Sequence, residues 1–585
     1  MNTIALVLAQ INPTVGALES NADRILDVAR QAAANGAQLV VFPELALSGY
    51  PPEDLVLKPH FIEDVAHQLD RIASALPPDL VVIAGAPVGE AGRVYNAAII
   101  FHRGAIQGRY LKMCLPNYGV FDEKRVFSEG ATPLVLGLGS LRVGVHICED
   151  SWSVAFDSVR RLENAGLDAL INLSASPYHR GKQAHRRHML AETARRLKAP
   201  LLYVNLVGGQ DELVFDGRSL VIDANGDCMA TAATFREDTL GFEVTTLAKP
   251  APKSSKDWNF LPLEVPKIGT FSLTPPPPVA ADDDLAEVYA ALALGLADYV
   301  NKNGFARVII AISGGIDSAL VASIAVDALG PERVVGITMP SRYSSEGTYS
   351  DARELAERLG IDFHDRPIRR LHELFLDELE DLWPGRLPDT TEENLQARIR
   401  GNIVMALSNK FGWLVLTTGN KSEMATGYCT LYGDMAGGFA LIKDVPKTLV
   451  FELCRWRNER SPEAPPIPES IITRPPSAEL RENQKDQDSL PPYDMLDGII
   501  ERYVERDWSA EKIIAGGFDA ATVTRVIRLI DLNEYKRRQG PPGVKITPKS
   551  FGRDRRLPIT NLYHERVKTT GRGAHAPASP HGKSS

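Results

Sequence analysis

The sequence predicts an α/β fold in two domains, on three observations. Residues 1–248 alternate short apolar, β-branched runs with helical patterns, as a layered α/β core does. Residues 249–284 then change composition, through KPAPKSSKD, four consecutive prolines at 275–278 and an acidic triplet. Proline-rich stretches act as spacers rather than packing a core, so a linker is expected there. Residues 285–557 return to α/β alternation, with a strand, a glycine turn and a helix in direct succession over 306–329.

Composition narrows the class. At 585 residues and 44% hydrophobic, the chain can fill two large cores, or about three to four ordinary ones. A net charge of −9 argues against nucleic acid as the main partner, because phosphate binding needs a cationic surface. The five cysteines, Cys114, Cys148, Cys228, Cys429 and Cys454, are odd in number and scattered, with no CxxC pair. That spacing suits neither a disulfide framework nor structural zinc. MNTIALVLAQINPTVG lacks the basic flank of a signal peptide, and no apolar run approaches the roughly 18 residues of a membrane span. A cytoplasmic protein without membrane contact is expected. The end, 558–585, is poor in large apolar residues and reads as a mostly disordered tail.

In the first domain, strands are expected at 4–8, 39–42, 80–84, 94–101, 141–147, 169–173 and 201–206, with helices over 21–34 and 183–198. Three reactive residues fall at strand ends. Glu44 lies in FPELALSGYPPEDL, Lys112 in RYLKMCLPNYGVFDEKRVF, and Cys148 closes the apolar run of LRVGVHICEDSW. A lone cysteine at a strand end is usually a small buried hydrophobe. In this chain order and spacing, however, the three together resemble the nitrilase superfamily, whose catalytic set is Glu, Lys and Cys. That resemblance implies an αββα sandwich, catalysis by Glu44, Lys112 and Cys148, and an auxiliary carboxylate at Glu123.

The residue types suit amide hydrolysis. A thiolate is a strong nucleophile when nearby positive charge lowers its pKa, and Lys112 is expected to supply that charge and help hold the oxyanion. Glu44 would take the thiol proton, hand it to departing ammonia, and then activate water. INLSASPYHRGK is similar to the glutamine-binding stretch of glutaminase-type members. This implies glutamine contacts from Tyr118, Ser176 and Lys182, with Tyr50 and Glu149 as further candidates. For Lys182 a solvated surface lysine is the plain alternative.

In the second domain, 308–312 reads as a buried strand, broken by Ser313, Gly314 and Gly315. Helical spacing follows from Asp317 through Leu320, Val321, Ile324 and Ala325. Such a corner binds anions: glycines admit close approach, free N–H groups point at the ligand, and the helix dipole favours negative charge. No lysine follows the glycines, which excludes the GxxxxGKS loop. SGGIDS instead resembles the pyrophosphate loop of the ATP pyrophosphatase superfamily. The resemblance implies a doubly wound parallel sheet, ATP phosphate contacts from Ser313, Gly314, Gly315 and Ser318, and magnesium (Mg2+) at Asp317.

Farther on, ENLQARIRGNIVMALSNKFGWLVLTTGNKSEMATGYCTLYGDMAGGFALIKDVPKTLVFEL resembles the NAD synthetase family. By that resemblance Thr418 and Lys447 contact ATP, Glu423 holds magnesium beside the substrate deamido-NAD, and Asn394, Arg398 and Lys536 bind deamido-NAD. Two positions depart from the family: Ser477 stands where ammonia-using members carry Thr, and Gly438 lies where they carry an acid. Joined to a nitrilase-like domain, the resemblance implies ATP- and glutamine-dependent amidation of deamido-NAD through an acyl-adenylate. AMP and pyrophosphate would be released, in a homo-oligomer with a protected passage for ammonia. The alternatives are a glutamine-dependent ligase for another adenylated carboxylate, a tRNA-modifying member, or a nucleotide sensor without catalysis. The basic cluster 536–556, with Arg553, Arg555 and Arg556, has three readings, a nucleic-acid contact, a dinucleotide pyrophosphate site or a solvated face, and the acidic whole and the nitrilase-like domain count against the first.

Overall fold

The computed structural model describes residues 2–246, 255–265, 271–273, 283–563 and 565. Most of the expected tail and the run of four prolines lie outside them. Within the first domain, buried residues of period two build two large sheets, beside a two-stranded one of Val207–Gln210 and Leu213–Asp216. The six-stranded sheet runs Asp238–Thr246, Asn2–Gln10, Leu39–Val41 (β1), Val81–Glu90, Arg93–His102, Ala105–Leu111 (β2). The seven-stranded sheet runs Asn259–Leu263, Leu134–Leu138, Leu141–Ile147 (β3), Ala169–Ser174 (β4), Leu201–Asn205, Leu220–Ile222, Cys228–Thr231.

Alternation decides what each face meets. Leu6 and Leu8 pack between the sheets with Val145, Ile147, Ile171 and Leu173. Val7 and Ala9 point the other way, against the helices Leu18–Ala34 and Pro59–Ala75. Leu170 and Tyr203 on the second sheet cover the helix Lys182–Leu197 (α1). The layers are therefore αββα. One edge strand, Asn259–Leu263, lies inside the stretch expected to be a spacer and pairs in parallel with Leu134–Leu138. Average composition over 249–284 hid this apolar NFLPL run, which covers an otherwise open sheet edge.

The second domain opens with the helix Asp284–Lys302 (α2), capped by the Asp283 carboxylate on the Leu285 amide. Val308–Ala311 (β5) sits at the centre of a five-stranded parallel sheet, between Val334–Thr338 (β6) and Leu414–Thr417 (β7). Asp362–Asp365 and Phe439–Ala440 form the edges. One face packs on α2 and on Ile316–Leu329 (α3), the other on Ile399 and Val404 of Thr390–Phe411 (α4). Helices on both faces make it doubly wound. β5 lies where the strand order reverses, so a crevice opens at its carboxyl end.

The domains share a core. Tyr178 and Val214 of the first cluster with Val288, Leu292 and Leu296 of α2. Polar ties flank it: Asn12 Nδ2 and the Gly209 amide donate to Asp298 Oδ2 at 2.8 and 2.6 Å, and Arg218 meets Glu287 at 2.8 Å. Among the described residues no helix is long and apolar enough to cross a membrane.

Candidate active sites

β1, β2, β3 and β4 deliver the residues of the first site at their carboxyl ends. Glu44 follows β1 on a turn pressed against the next strand, where a Cβ on Gly85 would stand 2.2 Å from the Leu45 amide. Only glycine admits that approach. The Glu44 carboxylate is buried, and Oε1 accepts from Lys112 Nζ at 2.6 Å and Asn96 Nδ2 at 2.7 Å. Its Oε2 accepts from the Ala175 amide, just beyond β4, at 2.8 Å. Lys112 also donates to both oxygens of Glu123 at 2.9 Å, and Tyr50 Oη donates to Glu123 Oε1 at 2.9 Å.

Cys148 directly follows β3 in the left-handed region, at φ 46°, which turns its side chain out of the strand's alternation. Its thiol is buried, and burial pushes its pKa well up, with the Glu44 charge adding to the rise against the lowering by Lys112. Two carboxylates, Glu44 and Glu123, already engage that ammonium. Burial would lower the Lys112 pKa, yet Glu123 and Glu44 hold it well above its usual value. Glu123 is raised to about 7 by burial, against the pull of Lys112.

The glutamine candidates surround this cluster. Tyr118, half exposed, donates to Glu149 Oε2 at 2.9 Å. Ser176 is buried, its amide donating to Asn205 Oδ1 at 2.9 Å. Lys182 starts α1 with its ammonium 4.1 Å from the centre of the Trp152 ring. Burial and Arg186 lower its pKa to about 8.

Three structural supports escaped the sequence reading. Asp150 accepts from the Ile147, Met113 and Cys114 amides and from Tyr110 Oη, tying the turn of Cys148 to the segment carrying Lys112. Asn172 Nδ2 donates to Cys148 O at 3.0 Å. Arg186, one turn after Lys182, makes two 3.0 Å bonds to Asp216 and reaches Ser176 Oγ at 3.4 Å. Only Arg186 left a readable signal, its i, i+4 spacing from Lys182.

The second site is a cavity of about 650 Å³ at the carboxyl ends of β5, β6 and β7. Ser313, Gly314, Gly315, Asp317, Ser318 and Thr418 line it, as do Asn394, Glu423, Lys447 and Lys536. Gly314 has φ 79°, and a Cβ there would sit 2.0 Å from Thr348 O. The serines brace the loop: Ser318 Oγ donates to Gly315 O at 2.9 Å, and Ser313 Oγ accepts from the Gly315 amide at 3.2 Å. Asp317 accepts from Lys447 Nζ, and from Asn420 Nδ2 at 2.9 Å. Asn420 also caps Lys421–Thr426 (α5), where its side chain and that of Glu423 satisfy each other's amides. That capping box, NKSE, is legible in sequence.

Glu423 lies 3.7 Å from Lys447 Nζ, and burial together with the Asp317 charge pushes its pKa up to about 8. Burial would lower the Lys447 pKa, but Asp317 and Glu423 raise it above its usual value. Asn394 accepts from Thr430 Oγ1 at 2.8 Å, and Lys536 donates to Gly427 O and Cys429 O, each at 2.8 Å.

Arg398 does not line this cavity: it points from another face of α4 and donates to Leu431 O at 3.3 Å. Asn394, Ala397, Gly401 and Val404 mark the cavity face, and Arg400 rather than Arg398 belongs to it. Ser477 lines the cavity and donates to Gln484 O at 2.6 Å, whereas Gly438 does not line it. The basic cluster breaks up into separate protein contacts. Arg553 meets Glu53 of the first domain at 2.6 Å, Arg555 is buried against Asp531, and Arg556 donates to Arg553 O.

Comparison with known proteins follows these two halves. Residues 3–249 match the family model Carbon-nitrogen hydrolase, and residues 288–540 match NAD synthase. A carbon–nitrogen hydrolase unit leading into an NAD synthase unit is thus the class that fold and matches define. Relatives share that whole order. Glutamine-dependent NAD(+) synthetase of Thermotoga maritima is 46% identical over 581 residues, covering 97% of this chain and all of that one. The Acinetobacter baylyi protein of the same name is 45% identical, over 96% and 99%. A solved glutamine-dependent NAD+ synthetase from Acinetobacter baumannii, in complex with ADP, superposes with a TM-score of 0.72 at 43% identity, covering 97% of this chain and 100% of that one. The chain belongs to the glutamine-dependent NAD(+) synthetase family.

Proposed function

We propose that this chain makes NAD from deamido-NAD, ATP and glutamine. One observation carries the reading: a buried Glu–Lys–Cys cluster and a glycine-loop nucleotide cavity occur in one chain, in the order of its full-length relatives. At the first site, Tyr118, Ser176 and Lys182 would hold the amino-acid end of glutamine. Glu44 takes the Cys148 proton as sulfur attacks the amide carbon, while Lys112 holds the oxyanion. The proton leaves with ammonia. Glu44 then deprotonates the water that splits the thioester, releasing glutamate and restoring the thiol.

At the second site, the carboxylate of deamido-NAD attacks the α-phosphorus of ATP, and pyrophosphate departs toward Ser313, Gly314, Gly315 and Ser318. Ammonia displaces AMP from the acyl-adenylate, giving NAD and losing one proton. Thr418 and Lys447 are assigned to ATP, and Asn394, Glu423 and Lys536 to the dinucleotide. Among the described residues no cluster of three or more His, Cys, Asp or Glu could hold a metal by itself. Asp317 and Glu423 are two carboxylates around one buried cation, a set that fits magnesium shared with substrate phosphates. Bound there, the ion would neutralise charge on the leaving pyrophosphate.

A single assay with ATP, magnesium, deamido-NAD and either glutamine or ammonium, scored for NAD and pyrophosphate, tests the reading. NAD is expected from both nitrogen sources. Absence of NAD with both would sink it.

A further inference from the structure

Five cationic side chains line the second cavity: Arg400, Lys447, Arg474, Arg481 and Lys536. Four are engaged. Lys447 faces Asp317 and Glu423, Arg474 pairs with Asp351, and Arg481 lies against Glu393 and Asp488. Lys536 donates to two backbone carbonyls. Arg400 is different. Its Nε donates to Met339 O at 3.0 Å, and no carboxylate of the described residues lies within ion-pair distance. The remaining four N–H groups of its planar fork have no protein acceptor among the described residues. The side chain is partly buried, and burial lowers its pKa to about 10 against the opposing pull of the Glu479 and Asp434 charges.

Position adds to this. Arg400 lies on the cavity face of α4, and Met339 follows β6, so the guanidinium stands at the carboxyl ends of the parallel strands, where ligands bind in doubly wound sheets. A partly buried guanidinium with no carboxylate in contact and most of its fork unbonded is better satisfied by a ligand that brings the anion. We propose that Arg400 is a substrate-binding residue whose fork grips two non-bridging oxygens of a substrate phosphate. This rests on the functional reading above, which brings two such phosphates into the cavity: the α-phosphate of ATP and the pyrophosphate bridge of deamido-NAD.

The test uses the full chain carrying Arg400→Met or Arg400→Lys, titrated separately with AMP and with deamido-NAD, and a melting curve for each. Arg400→Met should weaken one probe by about 10- to 100-fold, the scale of a lost charge-assisted hydrogen bond. Arg400→Lys, which keeps the charge but not the fork, should weaken it less. The Tm of Arg400→Met should stay close to that of wild type, because no contact ion pair is lost and only the tie to Met339 O goes. Loss with AMP assigns the α-phosphate, and loss with deamido-NAD assigns the bridge. Unchanged binding of both probes overturns the proposal, and with a lowered Tm it reduces Arg400 to a tie between α4 and Met339. Equal loss of both probes with a lowered Tm marks general damage and overturns it too. Wild-type protein that binds neither probe overturns the functional reading, and the inference with it.

Discussion

Lys182 shows how one residue's surroundings set a measurable property. Burial and Arg186 bring its pKa to about 8, so the ammonium is present at neutral pH and is lost as pH rises through that value. A group that grips the α-carboxylate of glutamine only while charged makes KM rise between about pH 7 and pH 9, with kcat little changed. Lys182→Arg stays charged throughout and should flatten that rise. A wild-type KM that ignores pH would leave Lys182 as packing on Trp152. Asp317 works through charge in the other domain. Asp317→Asn keeps the shape but removes one negative charge beside Lys447, so NAD formation from ammonium should fall by about two orders of magnitude or more. Activity close to wild type would remove Asp317 from metal binding.

At the scale of elements, the glycine loop between β5 and α3 makes the sharpest demand on residue type. Gly314→Ala would place a methyl 2.0 Å from Thr348 O at a φ of 79°, so the loop must move. Stability should drop by about 1–3 kcal/mol, read from the denaturant midpoint, and nucleotide binding should be lost. Gly315→Ala is the control: its Cβ would meet Ser313 Oγ at 3.3 Å with no positive φ, so it should cost less on both measures. A reversed ranking would mean that the turn geometry does not control the site. This corner was legible in the sequence because a β-branched run, two glycines and a helical period follow one another without interruption. The strands before Glu44 and Cys148 were legible from their short apolar runs. What could not be read is what faces a strand end across the fold. Asp150, Asn96 and Asn172 support the first site through contacts 21 to 52 residues away in sequence. Arg398 and Arg400 are the same residue type, and only the face of α4 separates them. The Asn259–Leu263 strand disappeared into the average composition of its proline-rich surroundings.

For the molecule as a whole, the question is whether its two sites can be separated by chemistry while the domains stay joined. Tyr178 and Val214 share a core with α2, so the domains are not hinged on a bare linker, and damage at one could spread to the other. Cys148→Ala is the mildest separation available. It removes one buried sulfur atom from the end of β3, and the small cavity left behind costs little stability. Asp150 and Asn172 contact backbone and neighbouring side chains at that turn, so their hydrogen bonds survive the change. No nearby hydroxyl can replace the thiol with Glu44 as its base, so glutamine hydrolysis should vanish, and glutamine-dependent NAD synthesis with it. Ammonium supplied at raised pH, where more of it is free ammonia, should restore NAD formation to near the wild-type rate. Retained glutamine activity would take Cys148 out of the chemistry. Loss of the ammonium reaction in a variant with wild-type Tm would show that the first site governs the second through the shared core, not only by supplying ammonia.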